Sequence, residues 1–278
     1  MEDDDFDLTA ALEAAAFVER GDIWTVGRHR LVCGDATNAG DIELLMDGKK
    51  ANLVLTDPPY NVAFESSDGL SIKNDKMSAD AFYEFLLAAF TQMAGVCEKG
   101  ASAYVFHADT EGLNFRRAFQ DAGFKLSGCC IWVKDSLVLG RSPYQWQHEP
   151  VLYGWVKTGK HTWYADRKQT TVWRFDKPRR NADHPTSKPL DLLAYPIGNS
   201  TQANAIVLDT FAGSGSTLMA CEATNRIAYC MELDEKYASV ILRRYADATG
   251  DAAGITCLRD GQQLAYLDVV KAVDRGKK

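Results

Sequence analysis

Leu53-Val54-Leu55-Thr56-Asp57-Pro58-Pro59-Tyr60 is the stretch from which the fold is read. Three apolar residues of strand type run into an acid, two prolines and an aromatic, so a buried strand is expected to stop at Asp57. Each proline fixes its own φ, lacks a backbone N–H and holds the preceding residue extended. The product is a stiff tip bearing one carboxylate and one ring. Asp57 and the Pro58 carbonyl can accept the two protons of an exocyclic amine on a planar base, while Tyr60 covers the ring face; the blander reading is a capped strand end.

A second stretch argues for the first reading. Val207-Leu208-Asp209 is a short apolar strand, Thr210-Phe211-Ala212-Gly213-Ser214-Gly215-Ser216-Thr217 a glycine turn, and Leu218 to Glu222 a helix former. A strand, Gly-x-Gly and a helix imply a ligand lying against bare backbone at a helix N-terminus. Leu218 stands where a dinucleotide fingerprint needs its third glycine, and no Gly-Lys-Ser/Thr follows as a phosphate-binding P-loop requires. The apolar run Ile227 to Met231 then ends at Glu232, where a doubly wound fold presents an acid to ribose hydroxyls. A nucleoside-containing cofactor is implied.

These residues together resemble the amino-directed DNA methyltransferases that make N6-methyladenine or N4-methylcytosine. With Asp57-Pro58-Pro59-Tyr60 ahead of Phe211-Ala212-Gly213-Ser214-Gly215, the motif order is that of the circularly permuted β class. Cys33-Gly34-Asp35, Ile72 to Met77, His148-Glu149 and His184 to Pro189 are further matches, and the resemblance covers roughly residues 22 to 246. It implies an α/β fold with a doubly wound, mostly parallel, Rossmann-like sheet, circularly permuted, with a small target-binding insertion. It also implies S-adenosylmethionine as cofactor and double-stranded DNA as partner. Asp57, Pro58, Pro59 and Tyr60 would be catalytic. Asp35, Asp57, Asp209, Phe211 to Thr217 and Glu232 would line the cofactor, Asp35 meeting its adenine and Lys188 reaching its methionine carboxylate. Within the family an aspartate at the tip goes mainly with adenine and a serine mainly with cytosine, so N6 of adenine is the expected target and N4 of cytosine the alternative. A lone enzyme, a homodimer and a cognate restriction endonuclease as partner all stay open.

At 278 residues and 46% hydrophobic, the chain can bury a full α/β core. No run approaches the ~18 apolar residues of a membrane span and the acidic start is unlike a signal peptide, so a cytoplasmic protein without membrane contact is expected. Seven scattered cysteines without C-x-x-C read as reduced thiols, and five histidines without ligand spacing argue against a metal. The net charge of -7 conceals an asymmetry. Acids crowd residues 2 to 13. Lys157, Lys160, Arg167, Lys168, Arg174, Lys177, Arg179, Arg180 and Lys188 face only Asp166, Asp176 and Asp183. Binding a polyanion needs a local patch, and these bases interleave with Trp146, Trp155, Trp163, Tyr164 and Trp173, so DNA binding is assigned here. The alternative is a β-rich excursion with a solvated charged face.

Along the chain, residues 1 to 20 read as an acidic tail or linker, 21 to 250 as the catalytic domain with the target insertion at about 134 to 183, and 251 to 278 as a C-terminal extension. Ile23 to Val26 and His29 to Cys33 form a hairpin, Ala39 to Met46 a helix, and 61 to 77 a loop beside the pocket. Ser78 caps a helix running through Met93, followed by strand 103–106, helix 113–122 and strand 125–133. His148-Glu149 reads as an ordinary structural pair. Thr186 or Ser187 would cap the next helix, with Pro189 near its first turn and Pro196 ending it early. Tyr237 to Tyr245 reads as another helix.

Rival functions fare worse. C5-cytosine methylation needs a Pro-Cys nucleophile, and no such dipeptide exists. RNA and protein methyltransferases can carry a similar tip, but the motif order disfavours them. A silent DNA-binding module would not need Asp57, Tyr60, Gly213, Gly215 and Glu232 together, and a nicotinamide dehydrogenase conflicts with Leu218.

Overall fold

The computed structural model describes residues 6–62, 76–140, 143–176 and 188–275. In chain order these form α1 (Leu8–Glu13), β1 (Ile23–Val26), β2 (His29–Cys33), α2 (Ala39–Met46), β3 (Ala51–Thr56), α3 (Ala79–Gly95), β4 (Cys97–Phe106), α4 (Gly112–Asp121), β5 (Phe124–Val138), β6 (Trp146–Val156), β7 (Val172–Arg174), α5 (Leu190–Ser200), β8 (Ile206–Asp209), α6 (Ser216–Ala223), β9 (Ile227–Glu232), α7 (Glu235–Thr249), β10 (Ile255–Arg259), β11 (Gln262–Ala265) and α8 (Tyr266–Arg275).

All eleven strands share one sheet, in the order β11-β10-β1-β2-β9-β8-β3-β4-β6-β5-β7. The five central strands β2, β9, β8, β3 and β4 pair in parallel. Only β1, β6 and β11 run against the common direction. Side chains alternate across the sheet as a period of two requires. Leu53 and Leu55 of β3 face the core beneath α5 to α8, while Val54 faces the core beneath α2 to α4. Both faces are therefore covered, which is why β3 reads as an unbroken apolar run. Leu53 is fully buried. Cutting it to alanine would cost about 2–5 kcal/mol.

The hairpin β1–β2 and helix α2 lie where the local pattern puts them, and Ser78 accepts from the Ala81 N–H at the start of α3, with Asp80 in the first turn. Among the described residues no helix is long and apolar enough to cross a membrane.

Four expectations need correction. The described part of the presumed N-terminal tail is packed: Leu8, Ala11 and Leu12 of α1 bury against Val240 of α7, and the Phe17 and Val18 N–H groups both donate to Ser239 Oγ. The C-terminal extension is part of the sheet, since β10 pairs with β1 along Ile23–Val26 and β11 forms the edge. Within 134–183, β6 lies between β4 and β5, so this stretch supplies a strand of the main sheet as well as the surface excursion 157–171. Finally, α5 runs through Pro196 to Ser200. A proline inside a helix costs roughly 3 kcal/mol, and here burial of Leu192, Leu193 and Ile197 offsets it. Pro189 is the N-cap of that helix without a side-chain capping bond; Thr186 and Ser187 lie outside the described residues, as does most of the expected loop 61–77. The ends of that loop meet: Asn61 Nδ2 donates to the Met77 carbonyl at 3.1 Å and the Met77 N–H to Asn61 Oδ1 at 2.6 Å.

Candidate active site

From β3 the chain winds outward through α3 to β4, and from β8 it winds the other way through α6 to β9. β3 and β8 are neighbours, so a crevice opens between their carboxyl ends, the place where open α/β sheets bind ligands. The two tips are tied by Thr56 Oγ1, which donates to Asp209 Oδ1 at 2.8 Å. A cavity of about 330 Å³ lies here, and both sequence motifs line it.

On one side, Gly213 (φ +52°) and Gly215 (φ +85°) turn the chain from β8 into α6 through backbone conformations that favour glycine. A Cβ on Gly213 would meet nothing within 4 Å, so its bare backbone borders open cavity. Gly215 differs. It is not among the residues that line the cavity, and a Cβ there would stand 3.1 Å from Ile241 on α7, so this glycine lets the turn pack closely against that helix. The loop is braced from within: Asp209 Oδ1 accepts the Phe211 N–H, the Ala212 N–H donates to the Met231 carbonyl, and buried Arg244 donates to the Ser214 carbonyl and Ser216 Oγ at 3.1 Å each. Thr217 also hydrogen-bonds Asp209. Asp209 thus holds the loop together, and burial pushes its carboxyl up to about 6.

Glu232 ends β9 across the crevice. Its two oxygens accept the N–H groups of Gly213 (2.8 Å) and Asp234 (2.9 Å), and burial pushes it up to about 7 despite them. Each oxygen keeps a lone pair, and further donors such as ribose hydroxyls would relieve the desolvation. Asp35 lies just beyond β2 on the same rim, with Oδ1 accepting both the N–H and the hydroxyl of Thr37. The residues present fit a nucleoside-bearing cofactor.

The other side is a chain of charges. The Tyr60 hydroxyl donates to Asp57 Oδ1, and Lys188 Nζ to Asp57 Oδ2 at 2.6 Å. The same ammonium sits 3.2 Å from Glu149 Oε2, whose other oxygen accepts from Lys134 Nζ. Lys188 is 7% exposed at its side chain. Burial raises the Asp57 carboxyl, which Lys188 opposes; burial would lower the Lys188 ammonium, but Asp57 and Glu149 outweigh it and hold the proton firmly. Burial also raises Glu149, yet the Lys188 and Lys134 ammonium groups together bring it down to about 2. Lys188 is therefore bound to the Asp57 tip, and it lines the same cavity as Gly213 and Glu232. Glu149 is the residue the sequence reading missed. Its only signal was the His148-Glu149 match, and the ordinary structural pair expected there is instead a buried member of the site.

The DNA methylase family model with N6/N4 specificity matches residues 51–243. The chain belongs to the N6/N4 DNA methylase family. It is 30% identical over 208 residues to the methylase YubD of Escherichia coli (strain K12), covering 75% of this chain and 86% of that one. It is 28% identical over 229 residues to the DNA adenine methyltransferase YhdJ of the same organism, covering 70% and 76%. Among solved structures, the M1.HpyAVI–SAM complex superposes with a TM-score of 0.57 at 22% identity, covering 77% of this chain and 98% of that one, a likeness of fold.

The expected DNA-binding residues divide by the end of the sheet they occupy relative to the cavity. Arg174, exposed at the end of β7, pairs in register with Val133 of β5, next to Lys134 on the rim. Because β6 runs antiparallel to β4, Lys157 and Lys160 emerge at the opposite end of the sheet. A Cβ on Gly100 would collide with the Lys160 carbonyl, and from Gly100 to the cavity-lining Phe106 the strand rises about 20 Å. Arg167 and Lys168 are exposed on the excursion that packs along α5, where the Tyr164 N–H donates to the Asn199 carbonyl and the Tyr195 hydroxyl to Gln169. Arg179 and Arg180 lie outside the described residues.

Proposed function

We propose that the protein transfers a methyl group from S-adenosylmethionine to the exocyclic N6 amine of adenine in DNA. The observation that carries this reading is the convergence of Asp57 with Gly213 and Glu232 on one cavity, a carboxylate for an amine beside a cradle for a nucleoside. When bound, S-adenosylmethionine supplies an electrophilic methyl group, so no covalent enzyme intermediate is needed. Glu232 and Asp35 accept from its hydroxyl and amino donors, and the bare backbone at Gly213 admits it closely.

The difficulty lies in the nucleophile, because the amine lone pair is delocalised into the base ring. By accepting the amino protons, Asp57 and the Pro58 carbonyl favour a tetrahedral nitrogen whose lone pair faces the methyl group. Proximity and fixed acceptors then supply the rate. Asp57 is a weak base for a neutral amine, so proton loss follows methyl transfer. The base leaves the duplex to reach the pocket, at a cost of roughly a few kcal/mol that contact with Tyr60 offsets. Adenine is favoured by the family association of an aspartate tip with that base and by the name of the similar YhdJ. DNA approaches the rim bearing Arg174.

The test is to incubate the purified protein with mixed-sequence duplex DNA and labelled cofactor, digest to nucleosides and identify the product by mass spectrometry. N6-methyladenine is expected. N4-methylcytosine as main product would replace the base and keep the mechanism; no methylated nucleoside would overturn the reading.

A further inference from the structure

Four side chains from four separate elements make one line of alternating charge: Asp57 at the end of β3, Lys188 before α5, Glu149 on β6 and Lys134 on β5. Three of them have little exposure at the side chain, 7% for Lys188, 15% for Glu149 and 11% for Lys134. Asp57 keeps 27% and is the member open to a substrate. An aspartate carboxylate turns easily about its last torsion. Here it is pinned, because one oxygen accepts from Tyr60 and the other from Lys188. Lys188 in turn is a long side chain held in place by Glu149 Oε2 at 3.2 Å, and Glu149 by Lys134. The Tyr60 hydroxyl lies 3.3 Å from that same Glu149 oxygen, so Glu149 touches both groups that hold Asp57.

We propose that Glu149 is a positioning residue which, through Lys188 and Tyr60, sets the orientation and charge of the Asp57 carboxylate before the target amine arrives. Its action runs through those two groups; it shares the Lys188 ammonium, so that the lysine is not wholly committed to Asp57. The inference rests on the amine-methylating reading of the site.

The charged groups facing Asp57 determine the sign of the effect. Lys188 draws its pKa down, Glu149 pushes it up, and Asp209 adds a further negative charge from β8. Replacing Glu149 by glutamine removes one of those negative charges and leaves Lys188 to Asp57 alone, so the Asp57 carboxyl titrates at lower pH. Replacing Lys188 by methionine has the opposite sign.

The experiment uses the full chain as wild type, Glu149→Gln, Glu149→Asp and Lys188→Met. Cofactor affinity is measured by calorimetry, single-turnover methyl transfer to duplex DNA as a function of pH, and titration of the Asp57 carboxyl by carbon NMR in the absence of cofactor and DNA. Glu149→Gln is expected to bind cofactor within about threefold of wild type while transferring the methyl group about ten- to a hundredfold more slowly. Its Asp57 titration and the acid limb of its rate profile should move to lower pH, and those of Lys188→Met to higher pH. Glu149→Asp should recover part of the rate. A Glu149→Gln protein with wild-type rate and an unmoved Asp57 titration overturns the proposal, as does an equal loss of cofactor binding and rate. Should Glu149→Gln fail to fold, Glu149→Ala takes its place with the same two readings, a slower rate with the Asp57 titration moved to lower pH supporting the role and an unchanged rate and titration overturning it. A wild-type protein that methylates nothing would instead sink the function, while the NMR titration would still judge the coupling.

Discussion

The half of the cavity proposed for the cofactor comes mainly from one run of chain, Asp209 to Glu232, whereas the half proposed for the target amine is assembled from Asp57, Lys134, Glu149 and Lys188 on four separate segments. The two halves also satisfy their carboxylates differently. Glu232 accepts two backbone N–H groups, which a tight turn supplies wherever its glycines are in place. Asp57 and Glu149 instead depend on ammonium and hydroxyl groups carried by other segments. A site made of backbone is rigid and suits a ligand that binds the same way at every turnover. A site made of paired side chains can exchange partners, as the proposed target amine would require.

That contrast is tested most severely at Asp57. Asp57→Ala should lower methyl transfer by about a thousandfold or more while cofactor affinity, measured by calorimetry, changes only a few-fold. Loss of both together would mean that the halves are not separable. Glu232 should show the reverse. Glu232→Ala is expected to weaken the cofactor by roughly ten- to a hundredfold, the loss of hydrogen bonds to a charged acceptor, with the fold intact by circular dichroism.

The pH dependence of the cofactor half follows from the same burial. The folded Glu232 carboxyl titrates at about 7 against an ordinary value of 4.5, so between those values the folded chain binds more protons than the unfolded one. Stability of the ligand-free protein should therefore be greatest below about 4.5 as far as this group is concerned, and decline as pH rises to about 7, by on the order of 3 kcal/mol. Cofactor affinity should rise across that window as Glu232 ionises. Denaturant titrations and calorimetry from pH 5 to 8 check both trends, and Glu232→Gln should flatten them apart from the smaller share of Asp209, which titrates at about 6.

Gly213 and Gly215 sharpen the comparison within one turn. Gly215→Val should cost about 1–3 kcal/mol of stability, because its Cβ meets Ile241 and its φ disfavours any side chain. Gly213→Ala, with open space before it, should lose cofactor affinity more than melting temperature. The smallest effect is expected at the DNA surface. Arg174→Ala should reduce the salt dependence of DNA affinity by about 0.9 in log-log slope, and Lys157→Ala with Lys160→Ala should leave it unchanged. A slope that responds to the lysines would place the duplex against the other end of the sheet.

The parts of this architecture that were legible beforehand are those held by local contacts. The hairpin around Gly27, helix α2, the Ser78 cap and the Gly213 turn depend on residues within a few positions of one another. The parts that were not legible depend on direction and distance. Nothing in Trp146–Val156 announces that it enters the main sheet antiparallel to β4, yet that reversal carries Glu149 into the pocket and Lys157 away from it. Likewise, Leu8, Leu12 and Phe17 form too short an apolar pattern to declare a partner, and they find one only because α7 presents Val240 and Ser239.

By itself, the sequence determined the strand tip at Asp57, the glycine turn, the acid closing β9 and, through them, the family, because each is a short motif whose backbone conformation its own residues dictate. Only the tertiary structure decided that Lys188 pairs with Asp57, that Glu149 lines the same cavity, that Gly215 lies against Ile241 of α7, and that Lys157 and Lys160 lie at the end of the sheet opposite that cavity. These are long-range pairings between buried charges and between strands, whose energies depend on burial and on strand direction, and both arise only once the chain has closed into one sheet.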